Sequence, residues 1–200
     1  MIDQTFHISR PLVSIVAIGD SGEALLLRAL LESLGASVLL HLPGTPADVL
    51  LVLGAGGSPA DHLVLSGHGD DEGFILGEYG PEIDTRCLTR GRLSPVTLAE
   101  HITLPGKVVV STACETGTAA FGSAFLKGGV AAYIAPNGSP EGADAVLFVH
   151  RLFHQFLARR RPLALAFAHA AGDDAAGRMF VGYGIAAPRS DGAVPAVRPR

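Results

Sequence analysis

Residues 107–129 read KVVVSTACETGTAAFGSAFLKGG, and the rest of the chain is best understood outward from them. Val108, Val109 and Val110 form a β-branched run that suits a buried strand. Ser111, Thr112 and Ala113 are small and lead directly to Cys114. Beyond Gly117 the period changes. Phe121 and Phe125 stand four apart, with Ala120 and Ala124 beside them, as on one face of a helix. Lys127-Gly128-Gly129 then supplies a helix stop. The pattern delivers a thiol at the carboxyl end of a strand and ahead of a helix. Ligands collect at strand C-termini in open α/β sheets, and the positive end of a helix dipole stabilises negative charge on sulfur.

A thiol nucleophile needs a base, and residues 61–74, DHLVLSGHGDDEGF, provide one. An apolar strand, His62 to Leu65, runs into Ser66-Gly67-His68-Gly69. The two glycines let backbone or substrate approach the imidazole closely. His68 and Cys114 are 46 residues apart, a natural spacing for neighbouring parallel strands joined by a crossover. A Cys–His pair at adjacent strand ends is what nucleophilic thiol catalysis requires. Each also has a bland reading: buried free cysteines are common and inert, and His68 could be a capped loop residue. Cys87 has no comparable setting and reads as a structural or incidental thiol.

Taken together, Ser66-Gly67-His68-Gly69 and Ser111-Thr112-Ala113-Cys114-Glu115-Thr116-Gly117, each after a strand, resemble the motifs of the caspase-like cysteine peptidases. The closest likeness is to their CHAT branch, related to separase and the gingipains. The likeness extends over roughly residues 60–172. It includes the helix, glycine turn and strand at 125–135 and the late helix PLALAFAHA at 162–170. It implies a caspase-like α/β three-layer sandwich, with a mostly parallel sheet and helices on both faces. It also implies a cysteine endopeptidase using a Cys114–His68 dyad through a thioester acyl-enzyme, with Gly69 and Cys114 amides holding the oxyanion. Neither a third catalytic carboxylate nor any metal or organic cofactor is implied. Family members usually carry a tryptophan and an aspartate after the strand ending near Ala135. This chain has Pro136-Asn137-Gly138-Ser139-Pro140-Glu141 there, and no tryptophan. By position, Glu141 or Asp144 is the substitute for the aspartate that holds a substrate arginine. With Asp70 and Glu115 they hint at a basic residue before the scissile bond, although for any one carboxylate a solvated rim is the plainer reading.

Two hundred residues at 48% hydrophobic and 17% charged describe a globular chain, read as one domain over 1–186 with a Pro-rich disordered tail, 187–200. A net charge of −4 argues against nucleic acid as the main partner. Two cysteines make no disulfide framework, the first ten residues lack a signal-peptide build, and no apolar run reaches membrane-spanning length. The expectation is therefore cytoplasmic, acting on a protein or peptide substrate with a regulatory protein partner, away from nucleic acid and membrane. The same fold could instead serve as a catalytically inactive interaction domain. Ser21, in Gly19-Asp20-Ser21, imitates an esterase nucleophile, but the late Asp-x-x-His such enzymes need is missing. Gly54-Ala55-Gly56-Gly57 imitates a dinucleotide turn, with Pro59 where glycine belongs. His150 and His154, four apart, read as a helix surface in preference to a zinc pair.

For the remaining elements the pattern predicts strands at 12–18 and 37–42, and a helix from Gly22 to about Leu34 with Leu25, Leu26, Ala29, Leu30 and Leu34 apolar. Asp20 and Glu23 fit a capping arrangement for that helix. A hairpin is expected between 74–76 and 78–79, and loop over 80–92. A long helix is expected from Ala143 to Arg160, its apolar face carrying Val146, Leu147, Val149, Phe153, Phe156 and Leu157. A last strand is expected at 179–183.

Overall fold

The computed structural model describes residues 10–172 and 174–185; the expected tail at 187–200 lies outside them. β-branched and leucine-rich runs form β1 (Leu12–Ile18), β2 (Ser37–His41), β3 (His62–Asp70), β6 (Val108–Ser111) and β7 (Ala132–Pro136). These pair in parallel in the order β2-β1-β3-β6-β7, and β8 (Phe180–Tyr183) closes the far edge antiparallel to β7. Strands buried on both faces need a helical layer on each side, and both are present. α1 (Gly22–Ser33), α5 (Gly142–Phe153) and α6 (Leu163–Ala171) pack on one face around Leu27, Leu31, Phe148, Val149 and Phe153. α2 (Pro46–Leu53), α3 (Pro95–His101) and α4 (Ala119–Lys127) pack on the other around Val109, Phe121, Phe125 and Tyr133. The chain thus has the expected α/β three-layer sandwich. No helix among the described residues is long and apolar enough to cross a membrane.

Several local expectations require correction. β3 is longer than its apolar run. Its first part lies in the parallel sheet, and His68–Asp70 continue past it to pair antiparallel with β4 (Gly73–Ile75). β4 in turn pairs with β5 (Arg92–Leu93), not with residues 78–79. Asp70 favours this tight reversal by accepting from the amides of Glu72 and Gly73. α1 is leucine-rich on every side, so hydrophobicity alone does not fix its phase. Ala24, Leu27 and Leu31 are buried, while Leu25 and Leu26 are half exposed. The long helix keeps α geometry only to Phe153, continues as a π turn over His154–Ala158, and buries Ala145, Phe148 and Leu152 while Leu147 faces out.

Candidate active site

The motif around Cys114 is a tight turn pinned on several sides. Ser111 Oγ and Thr116 Oγ1 lie 3.0 Å apart, and Thr116 Oγ1 donates to the Ala113 carbonyl at 2.8 Å. From below, the fully buried Tyr133 donates its hydroxyl to the Thr116 carbonyl at 2.9 Å, and Tyr183 donates to the Gly117 carbonyl at 2.8 Å. Burial pushes the Tyr133 phenol well above its ordinary range, so it stays a neutral donor. The Gly117 amide reaches the Pro136 carbonyl at 2.8 Å and the Glu115 amide reaches Gly138 at 2.9 Å. Glu115 adopts φ 60°, a left-handed conformation uncommon for a residue with a side chain. Its carboxylate accepts from Ser139 Oγ at 3.0 Å, a local latch to the following loop. α4 begins only at Ala119, so this turn separates its N-terminus from Cys114. A dipole effect that fades within one helical turn is weaker at the thiol than the sequence implies.

The His68 segment reaches this turn because of its glycines. A Cβ on Gly69 would sit 2.8 Å from the Cys114 carbonyl oxygen and 3.0 Å from Ala113 Cβ. A Cβ on Gly67 would sit 2.2 Å from the Ile18 carbonyl oxygen. Both contacts are to neighbouring chain segments that have little room to yield, so only glycine permits this approach. His68 is exposed and Cys114 half-buried; both line one cavity of about 250 Å³ with Asp20, Glu23, Gly67, Thr112, Pro140, Gly142 and Ala145. No hydrogen bond joins thiol to imidazole among the described residues. The Sγ lies 4.0 Å from the Pro140 carbonyl oxygen instead.

The carboxylates in this cavity are not those singled out from sequence. Glu23, read above as a capping residue, turns inward: Ser66 Oγ and Thr112 Oγ1 both donate to its Oε1, at 2.7 and 2.5 Å. Asp20 instead caps the start of α1 by accepting from the Gly22 amide at 2.9 Å, and it lines the cavity too. No Lys or Arg among the described residues lines the cavity. Asp70, Glu115, Glu141 and Asp144 lie outside the lining. Asp70 is held by Arg92 at 2.6 Å. Partial burial pushes its carboxyl up, but the Arg92 guanidinium and the turn amides outweigh that and hold it below the ordinary range. Glu141 is exposed at the start of α5. Ser21 lines a neighbouring depression with Gly19, Asp20, Leu42 and Pro43, and no histidine among the described residues lines it. No group of three or more metal-ligating side chains occurs among the described residues.

No protein-family model and no curated protein sequence matches the chain. Solved structures do. The Arg-specific cysteine proteinase gingipain R superposes with a TM-score of 0.53 at 14% identity, over 84% of this chain and 44% of that one. Separase from Saccharomyces cerevisiae, in complex with securin, superposes with a TM-score of 0.57 at 12% identity, over 88% of this chain and 12% of that one. The chain therefore spans under half of the first and about an eighth of the second. Sheet order, the two helical layers and these superpositions together show that the chain has the caspase-like fold.

Proposed function

We propose that the chain is a cysteine endopeptidase of the CHAT type, cleaving after a basic residue. One observation carries this reading: His68 and Cys114, from strands far apart in sequence, line a single cavity that also holds two carboxylates and, among the described residues, no lysine or arginine. In the proposed reaction the Cys114 sulfur attacks the scissile carbonyl as His68 takes its proton. The amides of Gly69 and Cys114 stabilise the oxyanion that develops. His68 then protonates the leaving amine as the thioester forms, and water attacks the thioester with His68 again as base. An arginine or lysine side chain entering the cavity would meet Glu23, whose Oε1 is fixed by two hydroxyls and whose Oε2 takes no bond from them, and then Asp20. Such a charge-assisted contact to a pre-oriented carboxylate is strong. This assignment replaces Glu141 and Asp144 as the specificity carboxylates.

A regulatory protein partner fits the same reading, since the superposed separase is bound to securin. The missing thiol–imidazole hydrogen bond favours a second reading, an interaction domain that binds without turnover. Hydrolysis of peptide anilides differing only in the residue before the bond separates the two. The peptidase reading expects turnover of arginine or lysine peptides over aspartate or leucine ones, lost in Cys114→Ala. No turnover of any of them, with basic peptides still bound, supports the binding domain.

A further inference from the structure

Arg28, Arg86, Arg90, Arg92 and Arg151 each pair with a carboxylate. Arg159, Arg160 and Arg161 do not: all three are exposed, without an ion-pair partner among the described residues. They stand at the end of the sheet opposite the cavity. α5 starts beside the cavity, where Gly142 and Ala145 line it, and runs away at about 1.5 Å per residue. At its far end Phe153 and Phe156 pack edge-on against His62, the first residue of β3, with ring centroids 6.4 and 5.1 Å apart. The arginines follow directly.

The turn that presents them sacrifices local stability. The helix switches to π geometry over His154–Ala158, Arg160 takes a left-handed φ of 52°, and the buried Gln155 Oε1 has no donor among the described residues. Deviations of this kind cluster at functional sites. The turn is nonetheless held in place. The Arg159 amide donates to the His154 carbonyl and the Arg161 amide to that of Gln155, both at 3.0 Å, and Pro162 confines Arg161 to extended backbone. Exposed Leu165 lies one turn further on, in α6. Three consecutive exposed arginines, with an exposed leucine four residues on, match carboxylates interspersed with an apolar residue.

We infer that Arg159–Arg161 form a docking surface for a short acidic segment of a protein partner, bound while the cavity stays open. A single-stranded nucleic acid fits less well: its bases stack on exposed aromatic faces, and the exposed large hydrophobic side chain near these arginines is Leu165.

The test is fluorescence anisotropy with a labelled twelve-residue synthetic peptide of glutamate, aspartate and leucine, beside a labelled twelve-nucleotide single-stranded DNA. The peptide is expected to bind the wild-type chain, to weaken at least tenfold with Arg159→Gln/Arg161→Gln, and to dissociate as salt rises. Arg28→Gln/Arg86→Gln, which removes the same charge elsewhere, is expected to bind as wild type. The double variant spares Arg160 and its unusual backbone, and unchanged thermal unfolding verifies its fold. Equal binding by both double variants, tighter binding of the DNA than of the peptide, or no binding by the wild type overturns the proposal. None of these readouts depends on peptide hydrolysis.

Discussion

The two sides of the cavity are held in different ways. On the Cys114 side nearly every neighbouring polar atom is tied down: Tyr133, Tyr183, Thr116 and the Glu115 and Gly117 amides lock the turn from below and beside. On the His68 side only the backbone is fixed, through the β3–β4 ladder, while the imidazole is exposed and makes no hydrogen bond among the described residues. On the proposed peptidase reading this is a division of labour: the fold positions the sulfur, and a bound substrate completes the placement of the base. Catalytic hydrogen bonds that are loose in the free enzyme and tighten on binding are a recognised pattern.

The contrast can be broken in several places. His68→Ala is expected to reduce turnover by on the order of 10⁴-fold or more while leaving thermal unfolding unchanged, because a free side chain supports no structure. Gly69→Ala forces a methyl into the Cys114 carbonyl. It is expected to lower kcat about 100-fold through displacement of the turn and to destabilise by roughly 1–3 kcal/mol. Glu23→Gln is expected to cut kcat/KM for arginine peptides about 10- to 100-fold, as for a lost charge-assisted bond, and to leave poor substrates unaffected. Tyr133→Phe tests the tied side alone: about 1 kcal/mol of stability, or a few degrees in Tm, with substrate preference retained.

The smallest effect concerns pH. Burial, with some help from Lys107 and against the pull of Asp61, lowers the proton affinity of His62. Protonation then favours the unfolded chain, so this contribution to stability is complete above about 6.5 and declines as pH falls below that. His41, also lowered by burial, works in the same direction. Unfolding followed between pH 7 and 5 is expected to show a shallower decline in His62→Phe than in the wild type.

The sheet was legible in the sequence because its strands are short β-branched runs bounded by glycine and polar residues. That Cys114 and His68 would meet at one sheet edge was legible because each follows such a run, and both line the same cavity. What escaped did so for physical reasons. Glu23 stands three residues after Asp20, the spacing of a cap, and only the fold brings Ser66 and Thr112 onto its carboxylate. Glu141 and Asp144 were placed by family position, but α5 directs its small residues Gly142 and Ala145 into the cavity. β5 is two residues long and lacks any periodic signal. The phase of α1 was hidden by leucines on every face. The π turn before Arg159 leaves no mark in a pattern that repeats every three or four residues.

The most direct test is covalent labelling with an arginyl chloromethyl ketone peptide, followed by intact mass and peptide mapping. The expected result is one adduct per chain, located on Cys114, abolished by Cys114→Ala, and slowed by more than 100-fold in His68→Ala and markedly in Glu23→Gln. An adduct on Cys87, or labelling of Cys114 at the same rate with and without His68, would contradict a dyad formed across this cavity.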